Sequence, residues 1–253
     1  MVPKLTTAQR DDFERDGFLI LRGFFPPERM TAVGGAINAL AARPPRIGRE
    51  MTYFENSVST PGQRVLSRIE RFIEESPALA DFILGSGLTE LAGEVLRAPA
   101  VLFKEKINFK LPNSQGFAPH QDIQPGWDTY ASYFVSVLVT IDPSTEANGC
   151  IELAAGHHQR GWLGERMKPL TPEQLVGIAF TKYPTAPGDV VIFDCFTPHQ
   201  SAPNRTTRAR RNLYLTYNRA AEGDFRRRYF ADKRAAFPPD NERKPGQHFS
   251  FKV

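Results

Sequence analysis

Cysteine is scarce: the chain has two, Cys150 and Cys195, among 253 residues. That excludes a disulfide framework or a thiolate-held structural zinc, and makes a reducing cytoplasm the expected compartment. Long apolar runs are missing too. No stretch approaches the ~20 residues of a membrane-spanning helix, so the chain is expected to be soluble, with no membrane partner. The opening Met1-Val2-Pro3-Lys4-Leu5 has no apolar core of a secretory leader, and the closing Ser250-Phe251-Lys252-Val253 is no peroxisomal or prenylation address. There is no internal repeat, low-complexity tract or linker composition. Apolar residues at 41% and charged residues at 24% are an ordinary globular balance, which excludes disorder, collagen and coiled coil.

The net charge of +4 is unevenly spread. Residues 205–234 hold ten basic and three acidic residues, so the rest of the chain is slightly acidic. No familiar nucleic-acid-binding signature accompanies the basic segment. It reads as a local anion site plus a solvated helix face at Arg226-Arg227-Arg228, and no nucleic-acid partner is expected.

The first 98 residues read as a helical layer. Leu5 to Asp16 is a helix capped by Thr6 or Thr7 and stopped by Gly17. Phe18–Leu21 is a short strand. Pro26-Pro27 opens a helix to about Ala42, with Met30, Val33, Ile37 and Leu40 at helical spacing. Two more helices fall at Pro77–Leu84 and Leu88–Leu96. From residue 99 to about 220 the period becomes two. Strands are predicted at Val101–Leu111, Ser132–Ile141, Cys150–Leu153, Ile178–Tyr183, Asp189–Phe193 and Arg210–Asn218. Residues 221–253 read as a helix followed by an extended tail. The whole predicts one domain, mainly β: a jelly roll (cupin-like) with helices packed on one sheet.

Histidine is also rare, five in all. His120 and Asp122 are two apart on an extended segment and point to one side. His199 follows the strand Val190-Val191-Ile192-Phe193. Two imidazoles and a carboxylate occupy one face of an octahedron and leave three positions open, the facial triad of non-haem Fe(II) oxygenases. A keto-acid cosubstrate needs a cation at its far carboxylate, and Arg210 follows on the last strand. Alternation on that strand leaves Arg210 and Arg211 as alternatives, because Arg211 shares a face with Leu213 and Leu215. His157-His158 reads as a structural turn, and His248 as solvated. Cys150 and Cys195 read as small buried residues.

These motifs resemble the phytanoyl-CoA dioxygenase family of Fe(II)/2-oxoglutarate oxygenases. The resemblance rests on Gly17-Phe18-Leu19-Ile20, the lysine-rich strand before His120-Gln121-Asp122, Asn148-Gly149-Cys150, Gly156-His157-His158, Pro187-Gly188-Asp189-Val190-Val191-Ile192-Phe193, His199-Gln200-Ser201 and the basic strand at Arg210. It implies a double-stranded β-helix fold and His120, Asp122 and His199 as catalytic iron ligands. It also implies Arg210, Ser201, Arg68, Lys106 and Leu138 as cosubstrate contacts, with Arg68 standing where the family has a lysine. The implied cofactors are Fe(II), 2-oxoglutarate and O2, with succinate and CO2 as co-products. A carboxylate at 122, where related halogenases carry a small residue, implies hydroxylation or another oxidation of an unactivated C–H bond. The expected substrate is a small soluble metabolite, anionic or zwitterionic, met by Gln121, Trp127 and Asn108, in a monomer or homodimer. Two other classes stay open: a jelly-roll metal enzyme that does not use 2-oxoglutarate, and a non-catalytic binding module.

Overall fold

Helix α1 (Thr7–Asp16) starts at a reciprocal cap. Thr6 Oγ1 accepts from the Gln9 amide at 3.2 Å, and Gln9 Oε1 accepts from the Thr6 amide at 2.9 Å. Gly17, at φ +81°, ends it in the left-handed region. The computed structural model describes residues 4–246, so His248 and the end of the predicted tail lie outside the described residues. In chain order the further elements are β1 (Phe18–Leu21), α2 (Pro27–Ala41), β2 (Met51–Asn56), β3 (Arg64–Glu70), α3 (Pro77–Gly85), α4 (Leu88–Leu96), β4 (Ala100–Lys110) and β5 (Phe117–His120). Then come β6 (Phe134–Thr140), β7 (Ile151–Leu153), β8 (Thr181–Tyr183), β9 (Val190–Asp194), β10 (His199–Ser201), β11 (Arg210–Arg219) and α5 (Arg226–Ala236).

The strands form two antiparallel sheets. The larger has the order β1-β9-β6-β11-β4-β3-β2 and the smaller β5-β10-β7-β8. One face of the larger sheet is apolar and covered by helices: Ile107, Val135, Val137, Ile192, Leu213 and Leu215 pack against Met30, Val33, Ile37, Leu88 and Leu91. Each such fully buried side chain contributes ~1.5–3 kcal/mol. The other face meets the smaller sheet. At one edge Phe18, Leu138, Val191 and Phe193 pack on Ile151 and Leu153. Toward the opposite edge this inner face turns polar, and the site lies there. The architecture is the expected jelly roll.

Three readings change. The β2–β3 hairpin lies in a stretch assigned no element, and with β1 it places three of the larger sheet's seven strands before residue 99. Residues 1–98 are therefore part of the core sheet and not only a helical layer. His199 lies on a short strand of its own. Arg226 is not on a solvated face: it is buried and bonds Glu105 (2.5 and 2.8 Å) and Glu74 (2.6 and 3.0 Å), while Arg227 and Arg228 are exposed.

Candidate active site

Strand β5 can lie only at a sheet edge, because Pro119 has no amide to donate. Its last residue, His120, is paired directly with His199 on β10. The register brings the two imidazoles together, ring centroids 4.1 Å apart and planes tilted by 53°. Asp122, in the turn after β5, completes a cluster whose ligand atoms lie within 4.8 Å of one another. All three side chains are buried. Each His donates its Nδ1–H to a carbonyl, His120 to Ala118 at 2.7 Å and His199 to Thr197 at 3.0 Å. A carbonyl can only accept, so the tautomer is fixed and both Nε2 lone pairs are free. Ser136 Oγ donates to Asp122 Oδ2, which leaves Oδ1 turned to the cluster, 3.7 Å from His199 Nε2.

Electrostatics set the protonation states a metal needs. Burial, then His199, pushes His120 down to about 3, and burial lowers His199 too. Burial alone raises the Asp122 carboxyl, but His199, Lys106 and His120 outweigh it and hold it at about 2. Two neutral imidazoles and one carboxylate, each oriented by a partner, fit Fe(II) with open positions left for a cosubstrate. Cys195, fully buried among aromatics, is pushed well above the usual thiol range, and His157 and His158 lie outside this cluster.

Arg210 and Arg211 part company at the start of β11. Arg211 faces the helices, chelating Asp142 at 2.7 Å through Nε and Nη2 and donating to the Gly34 carbonyl and Asn38 of α2. Arg210 faces inward and is 1% exposed. Its Nε has no hydrogen-bond partner, and it forms no ion pair among the described residues. Lys110 lies directly across the strand pair from it. Lys110 Nζ donates to Ser201 Oγ at 2.7 Å, to the Gly149 carbonyl at 3.3 Å and to the Ala202 carbonyl. The chain can pass this close only as glycine, since a Cβ on Gly149 (φ +74°) would stand 2.0 Å from the Ala202 oxygen. Burial, then Arg210, pushes Lys110 down to about 6. A buried guanidinium thus faces a buried lysine that burial and the guanidinium favour in its neutral form, and neither is paired with an acid among the described residues. Lys110 escapes sequence reasoning, although its alternation with Lys106 and Asn108 puts it on their face.

The remaining predicted residues are scattered along the inner face. Arg68, Asn108 and Asn212 share one row across β3, β4 and β11; Glu70, Lys106, Tyr214 and Leu138 share the next. Arg68 stacks on Tyr53 at 4.8 Å and lies 3.3 Å from Glu70. Asn108 Oδ1 is buried without a partner. Lys106 lies over the Tyr214 ring at 4.9 Å. Leu138 is buried in the intersheet apolar cluster. Gln121 is a correction. Its amide nitrogen donates to the Gly161 and Phe196 carbonyls at 2.7 Å each and its oxygen accepts from the Leu163 amide at 2.8 Å, so it staples loops and has no donor left for a substrate. Trp127 is 1% exposed and packs with Phe103 and Phe134; one face of its ring backs Lys104 at 4.7 Å.

Comparison with known proteins agrees with this geometry. The chain is 36% identical over 247 residues to a 2-aminoethylphosphonate dioxygenase from the uncultured bacterium HF130_AEPn_1, covering 97% of this chain and 94% of that protein. It is 32% identical over 234 residues to a methylphosphonate hydroxylase of Gimesia maris, covering 92% and 88%. The fold matches the crystal structure of EctD from S. alaskensis with 2-oxoglutarate and 5-hydroxyectoine, at a TM-score of 0.73 and 23% identity over 86% of this chain and 77% of that one. No helix among the described residues is long and apolar enough to cross a membrane. Residues 13–212 match the family model described as phytanoyl-CoA dioxygenase (PhyH), so the chain belongs to that family and is an Fe(II)- and 2-oxoglutarate-dependent dioxygenase.

Proposed function

We propose that this dioxygenase hydroxylates a small organophosphonate. The observation that carries the reading is the excess of buried cations on the inner face, at both ends of the triad. Lys110 and Arg210 lie at one end, and Lys104 and Lys106 at the other, none of them ion-paired among the described residues. Burying unpaired basic groups is costly; burial lowers the affinity of all three lysines for their protons, and an anionic ligand offsets that cost by favouring their charged forms. One anion is the cosubstrate. Arg210, with Lys110 and Ser201 beside it, takes the distal carboxylate of 2-oxoglutarate, and its fixed fork suits two carboxylate oxygens. The second set of cations is left for the substrate. A phosphonate matches that demand, and two relatives that are more than 30% identical act on phosphonates by name.

His120, Asp122 and His199 hold the iron. With 2-oxoglutarate and O2 it supplies the oxidation of C–H to C–OH, one O2 being shared between the product hydroxyl and succinate as CO2 leaves. The chain's own residues orient the two anions and exclude water. Arg210 contacts the cosubstrate in this reading, which makes a metal enzyme independent of 2-oxoglutarate, or a simple binding module, the poorer account of its burial.

The test is aerobic incubation with Fe(II), 2-oxoglutarate and either methylphosphonate or 2-aminoethylphosphonate. Phosphorus NMR of the mixture is expected to show a new phosphonate resonance, one equivalent per succinate formed. Succinate without any new phosphorus resonance, from both compounds, would overturn the phosphonate reading.

A further inference from the structure

This inference rests on the phosphonate reading above and locates the group that recognises the phosphonate. We propose that Lys104, backed by Lys106, is the cationic seat of the substrate's phosphonate, separate from the Arg210–Lys110 seat of the cosubstrate.

The argument begins with how this chain treats a buried cation whose role is structural. Arg226 is chelated by Glu105 and Glu74, and Lys233 is held by Glu70 at 2.5 Å. Lys104 is as buried as these, at 5% exposure, yet it has no hydrogen bond or ion pair among the described residues. Its ammonium meets only aromatic faces, Trp127 at 4.7 Å and Tyr229 at 5.4 Å. Such faces attract a cation but accept no strong hydrogen bond, so the three N–H donors stay unused.

Register then gives the direction. Lys104 lies opposite Thr216 on β11, and Thr216 lies opposite Ser136 on β6. Ser136 is the hydroxyl that donates to Asp122. Lys104 is therefore on the inner face, two strands, or ~10 Å of backbone spacing, from the position that orients a metal ligand. Its side chain is long enough to cover much of that distance. Lys106 stands two residues along on the same face, so the pair can offer donors to two oxygens of one tetrahedral anion. Two carboxylates act on Lys104 and Lys106, and both have other partners: Glu70 holds Lys233, and Asp122 accepts from Ser136 and faces the histidines. The local charge therefore favours a phosphonate that keeps both negative charges. A seat this close to the triad suits a substrate whose oxidised carbon is bonded directly to phosphorus.

Burial and the charges of Lys106 and Lys233 push Lys104 well below the usual lysine range. A bound dianion reverses that, so the seat is electrostatically relieved only when filled.

The experiment uses anaerobic Fe(II) protein saturated with 2-oxoglutarate and titrates methylphosphonate by calorimetry, comparing wild type, Lys104→Met, Lys104→Arg and Arg210→Ala. Lys104→Met is expected to weaken methylphosphonate binding at least tenfold while 2-oxoglutarate affinity stays within twofold. Lys104→Arg is expected to recover most of the loss. Arg210→Ala is expected to show the opposite pattern, with 2-oxoglutarate weakened and the phosphonate spared once 2-oxoglutarate is saturating. Thermal melting confirms that each variant is folded. Wild-type phosphonate affinity in Lys104→Met, or an equal loss in Lys104→Arg and Lys104→Met, overturns the assignment. A wild type that binds neither methylphosphonate nor 2-aminoethylphosphonate overturns the phosphonate reading itself.

Discussion

The two faces of the large sheet handle charge in opposite ways. On the helix side, apolar side chains carry the packing, and the half-buried guanidinium of Arg211 at the start of β11 is matched by Asp142 and by α2. On the inner side, its neighbour Arg210 is more deeply buried and its Nε has no partner, while Lys104 and Lys110 have no acid paired with them among the described residues. A charge satisfied within the chain stabilises the fold. A charge left unsatisfied raises the free energy of the empty protein and is offset when a ligand arrives. The helix side is therefore read as structure and the inner side as binding capacity.

The sharpest way to break this division is to remove one residue from each face. His199→Ala should cut product formation by more than ~100-fold, beyond the loss typical of an outer-shell partner, with little change in melting temperature. Leu213→Ala, fully buried against the helices, should cost ~2–5 kcal/mol in denaturant unfolding while the folded fraction keeps its turnover. If the two variants exchanged phenotypes, the division would be wrong. The adjacent arginines give the next contrast. Arg210→Ala should raise half-saturating 2-oxoglutarate by ~10–100-fold, the worth of hydrogen bonds to a charged group. Arg211→Ala should leave that value unchanged and destabilise the fold by ~2–4 kcal/mol, since Asp142 loses its partner.

Two smaller effects sharpen the picture. Ser136→Ala removes the donor that orients Asp122, and Fe(II) titration should show affinity lower by ~10-fold; an unchanged isotherm would show that the carboxylate needs no orienting. The Glu70–Lys233 pair tests an ion pair that the inner face keeps for itself. Burial raises Glu70, but Lys233, Arg68 and Lys104 outweigh it and hold it at about 2. The folded pKa is thus below the unfolded value of ~4.3. Its stabilisation is complete above that pH and is lost as pH falls toward 2. In Lys233→Met the depressing charge is weakened, so the acid-unfolding midpoint, followed by circular dichroism, should move upward by ~1 unit. A midpoint that stays put would mean that Arg68 and Lys104 suffice.

The triad was legible because its information is local. His120 and Asp122 are two residues apart, and His199 closes a short turn after an unmistakable strand. The β2–β3 hairpin was not, because Arg68 and Glu70 put charges where a strand's buried face normally shows apolar residues. The same inversion explains the ambiguity at β11. Alternation correctly grouped Arg211 with Leu213 and Leu215, but that apolar face looks toward the helices and away from the cavity. Gln121 was misread for another reason. A polar side chain between two ligands suggests contact with a substrate, whereas three backbone groups of distant loops consume it, and those loops cannot be placed from sequence. Lys104 and Lys110 look like a solvated strand face until a second sheet is laid over them.

One further consequence follows from the direct pairing of His120 with His199 across β5 and β10. Successive residues of a strand point to opposite sides, so a slip of one residue between these two short strands would send the imidazoles to opposite faces. Neither strand is long enough to enforce its own alignment. A divalent ion held by both rings would add to the alignment that β10 already has from β7, where His199 lies opposite Leu153, so metal uptake is expected to favour the correctly registered smaller sheet.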